Sequence, residues 1–160
     1  MKIHQLSPSQ TPETQNLQVV LASTYGLFLM THNYHWNVEG KRFYPLHKMF
    51  EDQYTALFQA VDVIAERIRA LNDYALAFEG ENILESSKMI SNALNKETDA
   101  ELRADRMVLN LINANEGTVK SCQTAKQNAQ ETHDNETENL MVERITAHQK
   151  TMWMLKSSHK

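Results

Sequence analysis

A chain of 160 residues, 41% hydrophobic and 22% charged, suits one domain with a single core. Its formal net charge of −4 and pI of about 6.0 exclude a generally basic, phosphate-seeking surface, and the single cysteine, Cys122, excludes an internal disulfide and points to a reducing cytoplasm. Only 4 Gly and 3 Pro disfavour a turn-rich sandwich or barrel, no apolar run is long enough to cross a bilayer, and the opening residues lack the apolar stretch of a signal peptide.

The first predicted helix begins at "TPE". Thr11 can cap it, Pro12 suits its first turn and Glu13 complements the positive end of its dipole. Leu17, Val20, Leu21, Leu27 and Phe28 give it a broad apolar face, and Gly40 is the expected stop. Pro45 suits the start of a second helix over 45–72, followed by a loop through "NDYALAFEGEN". A short extra helix is expected in "ILESSKMISNAL". "TDAE" at 98–101 has capping-box spacing, Thr98 with Glu101, and opens a third long helix to about Gln127. "NETE" at 135–138 has the same spacing and opens a fourth, ending near Lys156. Residues 1–10 and the final "KSSHK" read as mobile tails. The expectation is a single all-α domain over 1–160. It is a four-helix bundle of the ferritin-like kind, with a short extra helix in the crossover between helices two and three.

The chemistry-bearing residues gather in "HNYHWNVEGKRFYPLHKMFE" (32–51) and "DVIAER" (62–67). His47 and Glu51 are four apart on the second helix and share a face, and so do Asp62 and Glu66. At ~1.5 Å rise per residue, His47 and Asp62 lie roughly 22 Å apart along one helix, whereas a metal bond spans only about 2 Å. One helix therefore cannot close a site from both pairs. The positions of His47 and Glu66 share one midpoint with those of Glu51 and Asp62, between Ala56 and Leu57. A second copy set antiparallel across a two-fold axis at that midpoint would bring His47 to the partner's Glu66 and Glu51 to the partner's Asp62, giving two identical sites. Thr55 and Phe58 occupy the stripe between them. His35, near the end of the first helix, falls beside His47. No Glu is followed three places later by His, so the motif of an intrachain di-iron bundle is absent from the sequence. Taken singly, each pair is more often what a solvated helix face carries; the shared midpoint, with His35 added, is what favours a site.

"HWNVEGKRFYPLHKMFE" (35–51) and "VDVIAERIRALNDYA" (61–75) resemble the two signature segments of the Dps family, the miniferritins also called DNA-binding proteins from starved cells. The resemblance rests on His35, Trp36, Gly40, Leu46, His47 and the acid at 51, then Asp62, Glu66, Arg67, Leu71 and Ala75. It implies a hollow homo-dodecamer with ferroxidase centres at its two-fold interfaces and oxidised iron stored inside. His35, Asp62 and Glu66 would hold the tighter iron, and His47 with Glu51 the second, partly through water. Many members carry Asp where this chain has Glu51. Hydrogen peroxide would be the preferred oxidant over dioxygen, and the imidazole–carboxylate ligand set admits zinc as a competitor. Trp36 resembles the family's aromatic that absorbs stray oxidising equivalents, and packing is the alternative role. His32, three before His35, is either a support for the ligands or a plain polar surface residue.

Glu131, Asp134, Glu136, Glu138 and Glu143 crowd the start of the last helix. Acids there favour the helix dipole. The resemblance adds a role for Asp134 and Glu138 in lining pores that admit Fe(II). DNA binding is expected to be weak or absent, since the first sixteen residues hold one basic residue, Lys2, and the other end adds only Lys156 and Lys160. Two further readings differ in class. One is a nucleoid-associated DNA binder in which iron oxidation is secondary; the other is a helical interaction protein without metal.

Overall fold

The computed structural model describes residues 11–77 and 81–159, and the side chains of all of these except 81–85. The expected tail at 1–10 lies outside the described residues. Five helices follow in order: α1 (Pro12–Asn37), α2 (Phe43–Ala70), α3 (Glu81–Asn95), α4 (Ala100–Thr132) and α5 (Asn135–Ser158). The all-α bundle with an extra helix in the crossover is as the sequence predicts. No helix among the described residues is long and apolar enough to cross a membrane.

Thr11 caps α1 in a reciprocal pairing with Thr14, each backbone N–H donating to the other's hydroxyl. The helix ends at Asn37, before Gly40. Gly40 sits three residues further on at φ +94, where a Cβ would collide with the Glu101 carboxylate. That carboxylate accepts from the Lys41 N–H and from Arg42 Nε, which binds the α1–α2 connection to the first turn of α4. Glu101 is thus unavailable to Thr98, and the expected box gives way to Asp99, whose side chain accepts from the Leu102 N–H 3.0 Å away.

A similar displacement occurs at α5. The cap is Asp134, not Asn135; it accepts from the Thr137 N–H and is ion-paired with Arg67 at 2.5 Å. α4 runs on past Gln127 to Thr132 and stops at His133, which takes the left-handed conformation at φ 59. Only His133 and Asp134 separate α4 from α5, so the two pack as an antiparallel hairpin. The last helix also outruns its expected end at Lys156. Its Ser158 carbonyl accepts from Arg42 Nη1, so residues 156–158 form an anchored final turn rather than a loose tail.

α1 packs on α2, α3 and α4, and α4 packs on α5. α2 and α5 scarcely meet. The core has two parts. One surrounds Leu27, Met30, Tyr34, Leu46, Phe50, Met107 and Leu111, with Ala93 of α3 sealing it. The other gathers Leu17, Leu21, Ile64, Ile68, Cys122 and Met141. Burial pushes the Cys122 thiol up to about 12, so it is packing rather than redox chemistry.

Candidate metal centre

His35 lies in the last turn of α1 and His47 in the second turn of α2, and a connection of five residues brings them face to face. Their rings stack with centroids 3.8 Å apart and planes inclined by 20°. Each imidazole binds the other's backbone: His35 Nδ1 to the His47 carbonyl at 2.9 Å, and His47 Nδ1 to the His35 carbonyl at 2.8 Å. The His35 carbonyl is among the last four of α1, which have no partner within their own helix, so the contact also finishes that helix. A carbonyl can only accept. Both Nδ1 atoms therefore carry a proton, and each ring in its neutral form keeps its lone pair on Nε2, the tautomer a metal-ligating histidine needs.

Glu51 follows His47 by one turn. Its carboxylate accepts from Lys48 Nζ at 2.6 Å. Lys48, and behind it His35 and His47, hold the Glu51 carboxyl below the usual carboxylate range, so it stays anionic beside the two rings. Asp62 and Glu66 are exposed further along the same face of α2 and form no hydrogen bond or ion pair among the described residues. Thr55 and Phe58, between the two groups, are also exposed, Phe58 to 62%. A single chain thus joins His35, His47 and Glu51 at one end of the stripe and leaves Asp62 and Glu66 at the other. Within one chain, the described residues hold no cluster of three His, Cys, Asp or Glu able to bind a metal ion.

Behind the histidines lies an aromatic group only partly visible in the sequence. His32 sits between Trp36, with centroids 4.1 Å apart, and Tyr54, at 4.2 Å; Tyr54 also meets the His35 ring edge-on at 5.2 Å. Burial and the neighbouring His35 lower the pKa of His32, which favours its neutral form. Trp36 is 60% exposed. Sequence reasoning named Trp36 and His32 but missed Tyr54 and Lys48. Their signal was present: Tyr54 stands seven after His47, on the same helix face, and Lys48 three before Glu51.

The motif's Arg67 is explained by the far end of α2. Its guanidinium donates to Asp134 and to the Thr137 hydroxyl, locking α2 to the start of α5. Burial raises the Asp134 carboxyl, but Arg67 and the two Thr137 donors outweigh it and hold the group well below the usual carboxylate range. Of the two expected pore acids, Asp134 is engaged in this lock, and Glu138 is half-buried and accepts from Gln130 Nε2 at 2.6 Å.

Residues 14–159 match the model of the ferritin-like domain. The chain is 34% identical over 148 residues to DNA protection during starvation protein 2 of Bacillus anthracis, covering 92% of this chain and 95% of that protein. It is 30% identical over 131 residues to the DNA protection during starvation protein of Brevibacillus brevis, covering 82% and 83%. Among solved structures, Dps from Staphylococcus aureus superposes with a TM-score of 0.78 at 26% identity, covering 96% of this chain and 99% of that one. Two histidines clasped across a short connection, a ferritin-like bundle and relatives matched along nearly their whole length agree: the chain belongs to the Dps family of ferritin-like proteins.

Proposed function

We propose that the protein is an iron-storing ferroxidase. It takes up Fe(II) as substrate at sites shared between two subunits and keeps the ferric product inside a hollow homo-dodecamer in the cytoplasm. The observation that carries this reading is the reciprocal clasp of His35 and His47. It fixes both Nε2 lone pairs for metal at one end of a stripe whose other end presents two unpaired carboxylates, Asp62 and Glu66. Across a two-fold axis, those carboxylates would complete the partner's half-site. Imidazole nitrogen and carboxylate oxygen suit iron, and zinc would compete for the same donors.

The chemistry proposed is a paired oxidation. Two Fe(II) ions each lose one electron, the O–O bond of one hydrogen peroxide breaks, two protons are consumed and two waters form. Taking both electrons together avoids release of a hydroxyl radical. Dioxygen is the slower alternative oxidant. The chain's own residues bind and orient the ions: His35 with the partner's Asp62 and Glu66 at one, His47 and Glu51 at the other. Lys48 keeps Glu51 ionised, and Trp36 with Tyr54 is placed to take up a stray oxidising equivalent. Glu138 and the other acids at the start of α5 would draw cations toward the entry pores, with Asp134 mainly holding their backbone in place.

Purified protein given Fe(II) and peroxide should yield a soluble, iron-loaded particle, and light scattering should give about twelve times the 18.4 kDa chain mass. Ferric precipitation as fast as in a protein-free control, or a stable active monomer, would overturn the reading.

The relatives' names point to protection of DNA. We assign that benefit to removal of Fe(II) and peroxide rather than to a tight DNA complex. A net charge of −4 per chain and few basic residues near either end can release few counterions. At about 0.15 M salt, no gel-shift of duplex DNA is expected at nanomolar protein. A shift under those conditions would favour the DNA-binding alternative.

A further inference from the structure

Among the described residues, the seam between α2 and α5 is loosely closed. It contains a cavity of about 50 Å³, lined among others by Gln53, Ala56, Asn115, Arg144, His148 and Thr151. A wider groove of about 240 Å³ adjoins it, sharing Ala56 and Arg144. Two polar side chains of the cavity are buried yet incompletely paired. Gln53 is 8% exposed and His148 3%, and neither Gln53 Nε2 nor His148 Nε2 has a hydrogen-bond partner. Buried polar atoms are paired as a rule, so two orphans on one cavity call for an occupant.

The donors and acceptors identify its chemistry. The Asn115 amide nitrogen donates to the Leu111 carbonyl, which turns Asn115 Oδ1 toward His148 Nδ1, 2.8 Å away. Nδ1 must then carry the proton, and Nε2 offers a lone pair. Burial first, and Arg144 second, lower the His148 pKa to about 4, so the ring is neutral at physiological pH. A lone pair of this kind would also suit a metal cation. The guanidinium of Arg144 on the same cavity opposes one, and no carboxylate lines the cavity; Glu143 reaches only the outer groove. Arg144 itself makes no hydrogen bond or ion pair among the described residues. The occupant must accept from Arg144 and Gln53 and donate to His148.

We propose that the α2–α5 seam binds a small hydrogen-bearing oxyanion, with Arg144 and Gln53 Nε2 donating to its oxygens and His148 Nε2 accepting from its O–H. Hydrogenphosphate and bicarbonate both have the required pattern. Sulfate, with no proton at neutral pH, does not. The site is separate from the His35–His47 centre and stands whether or not that centre oxidises iron.

The test is calorimetric titration of the iron-free, assembled full chain with inorganic phosphate, bicarbonate and sulfate in turn. One saturable site per chain is expected for phosphate or bicarbonate, with sulfate at least ten-fold weaker. Arg144→Gln, at a half-exposed position that tolerates the change, should weaken binding at least ten-fold. Gln53→Glu, nearly isosteric, replaces a donor by a repelling carboxylate and should abolish it; it serves as the second variant should the first fail to assemble. No saturable site, sulfate binding equal to phosphate, or unchanged affinity in an assembled variant would overturn the proposal and leave the cavity to water.

Discussion

Two inactive variants are expected to restore each other's activity when their chains are mixed. In one, His35→Ala is combined with His47→Ala; in the other, Asp62→Ala with Glu66→Ala. Each homo-oligomer should lose peroxide-dependent iron oxidation by at least about tenfold, because every site lacks two of its five ligands. A two-fold pair containing one chain of each kind has one site with all the damage and one with none. The intact site takes His35, His47 and Glu51 from the second variant and Asp62 and Glu66 from the first. Random equal mixing makes half of the pairs mixed, so about a quarter of all sites, and about a quarter of the wild-type rate, should return. Both variants must first be shown to assemble, by size. An intrachain centre predicts no recovery at any ratio. Absence of recovery in mixed oligomers of correct size would move the search for the site back inside the single bundle.

Arg67→Ala is expected to produce the largest loss of stability. The Arg67–Asp134 pair is mostly buried, with side chains 22% and 10% exposed, and Arg67 also donates to the Thr137 hydroxyl. Removing the cation leaves Asp134 buried without its countercharge, beside Glu13. Burial and the nearby Asp134 already raise the Glu13 pKa. A loss of about 2–4 kcal/mol follows, or roughly 5–15 °C in thermal midpoint for a chain of this size. The pH dependence has a definite sign. The folded pKa of Asp134 is depressed, so its stabilisation is fully present above the unfolded value of about 3.9 and is lost as pH falls below it. Glu13 has the opposite shift, and its strain is relieved on acidification. The gap between wild type and Arg67→Ala should therefore be wide near neutral pH, begin to narrow near about pH 4 and close only as the pH falls further below it. Thermal unfolding followed by circular dichroism at several pH values would measure it. A midpoint within about 2 °C of wild type at neutral pH would show that the pair does not secure α2 to α5.

Much of this could be read from residues alone because the signals are local. Helical periodicity repeats every three to four positions, and a helix end declares itself in a few residues, as at Thr11 and Pro12. The symmetry of His47, Glu51, Asp62 and Glu66 is arithmetic on one regular helix, so it needed no coordinates. Tertiary structure decided the matters in which a local partner had to compete with a distant one. Thr98 lost Glu101 to Lys41 and Arg42, some sixty residues away, and Asp99 became the cap. Asn135 yielded to Asp134 because Arg67 holds that carboxylate from the other side of the bundle. The tautomer of His35 and His47 depended on which carbonyl each Nδ1 met, and that carbonyl belongs to the opposite helix. The orphaned nitrogens of Gln53 and His148 face one cavity only because α2 and α5 splay apart, a gap between helices far apart in the chain that no periodicity within either one records.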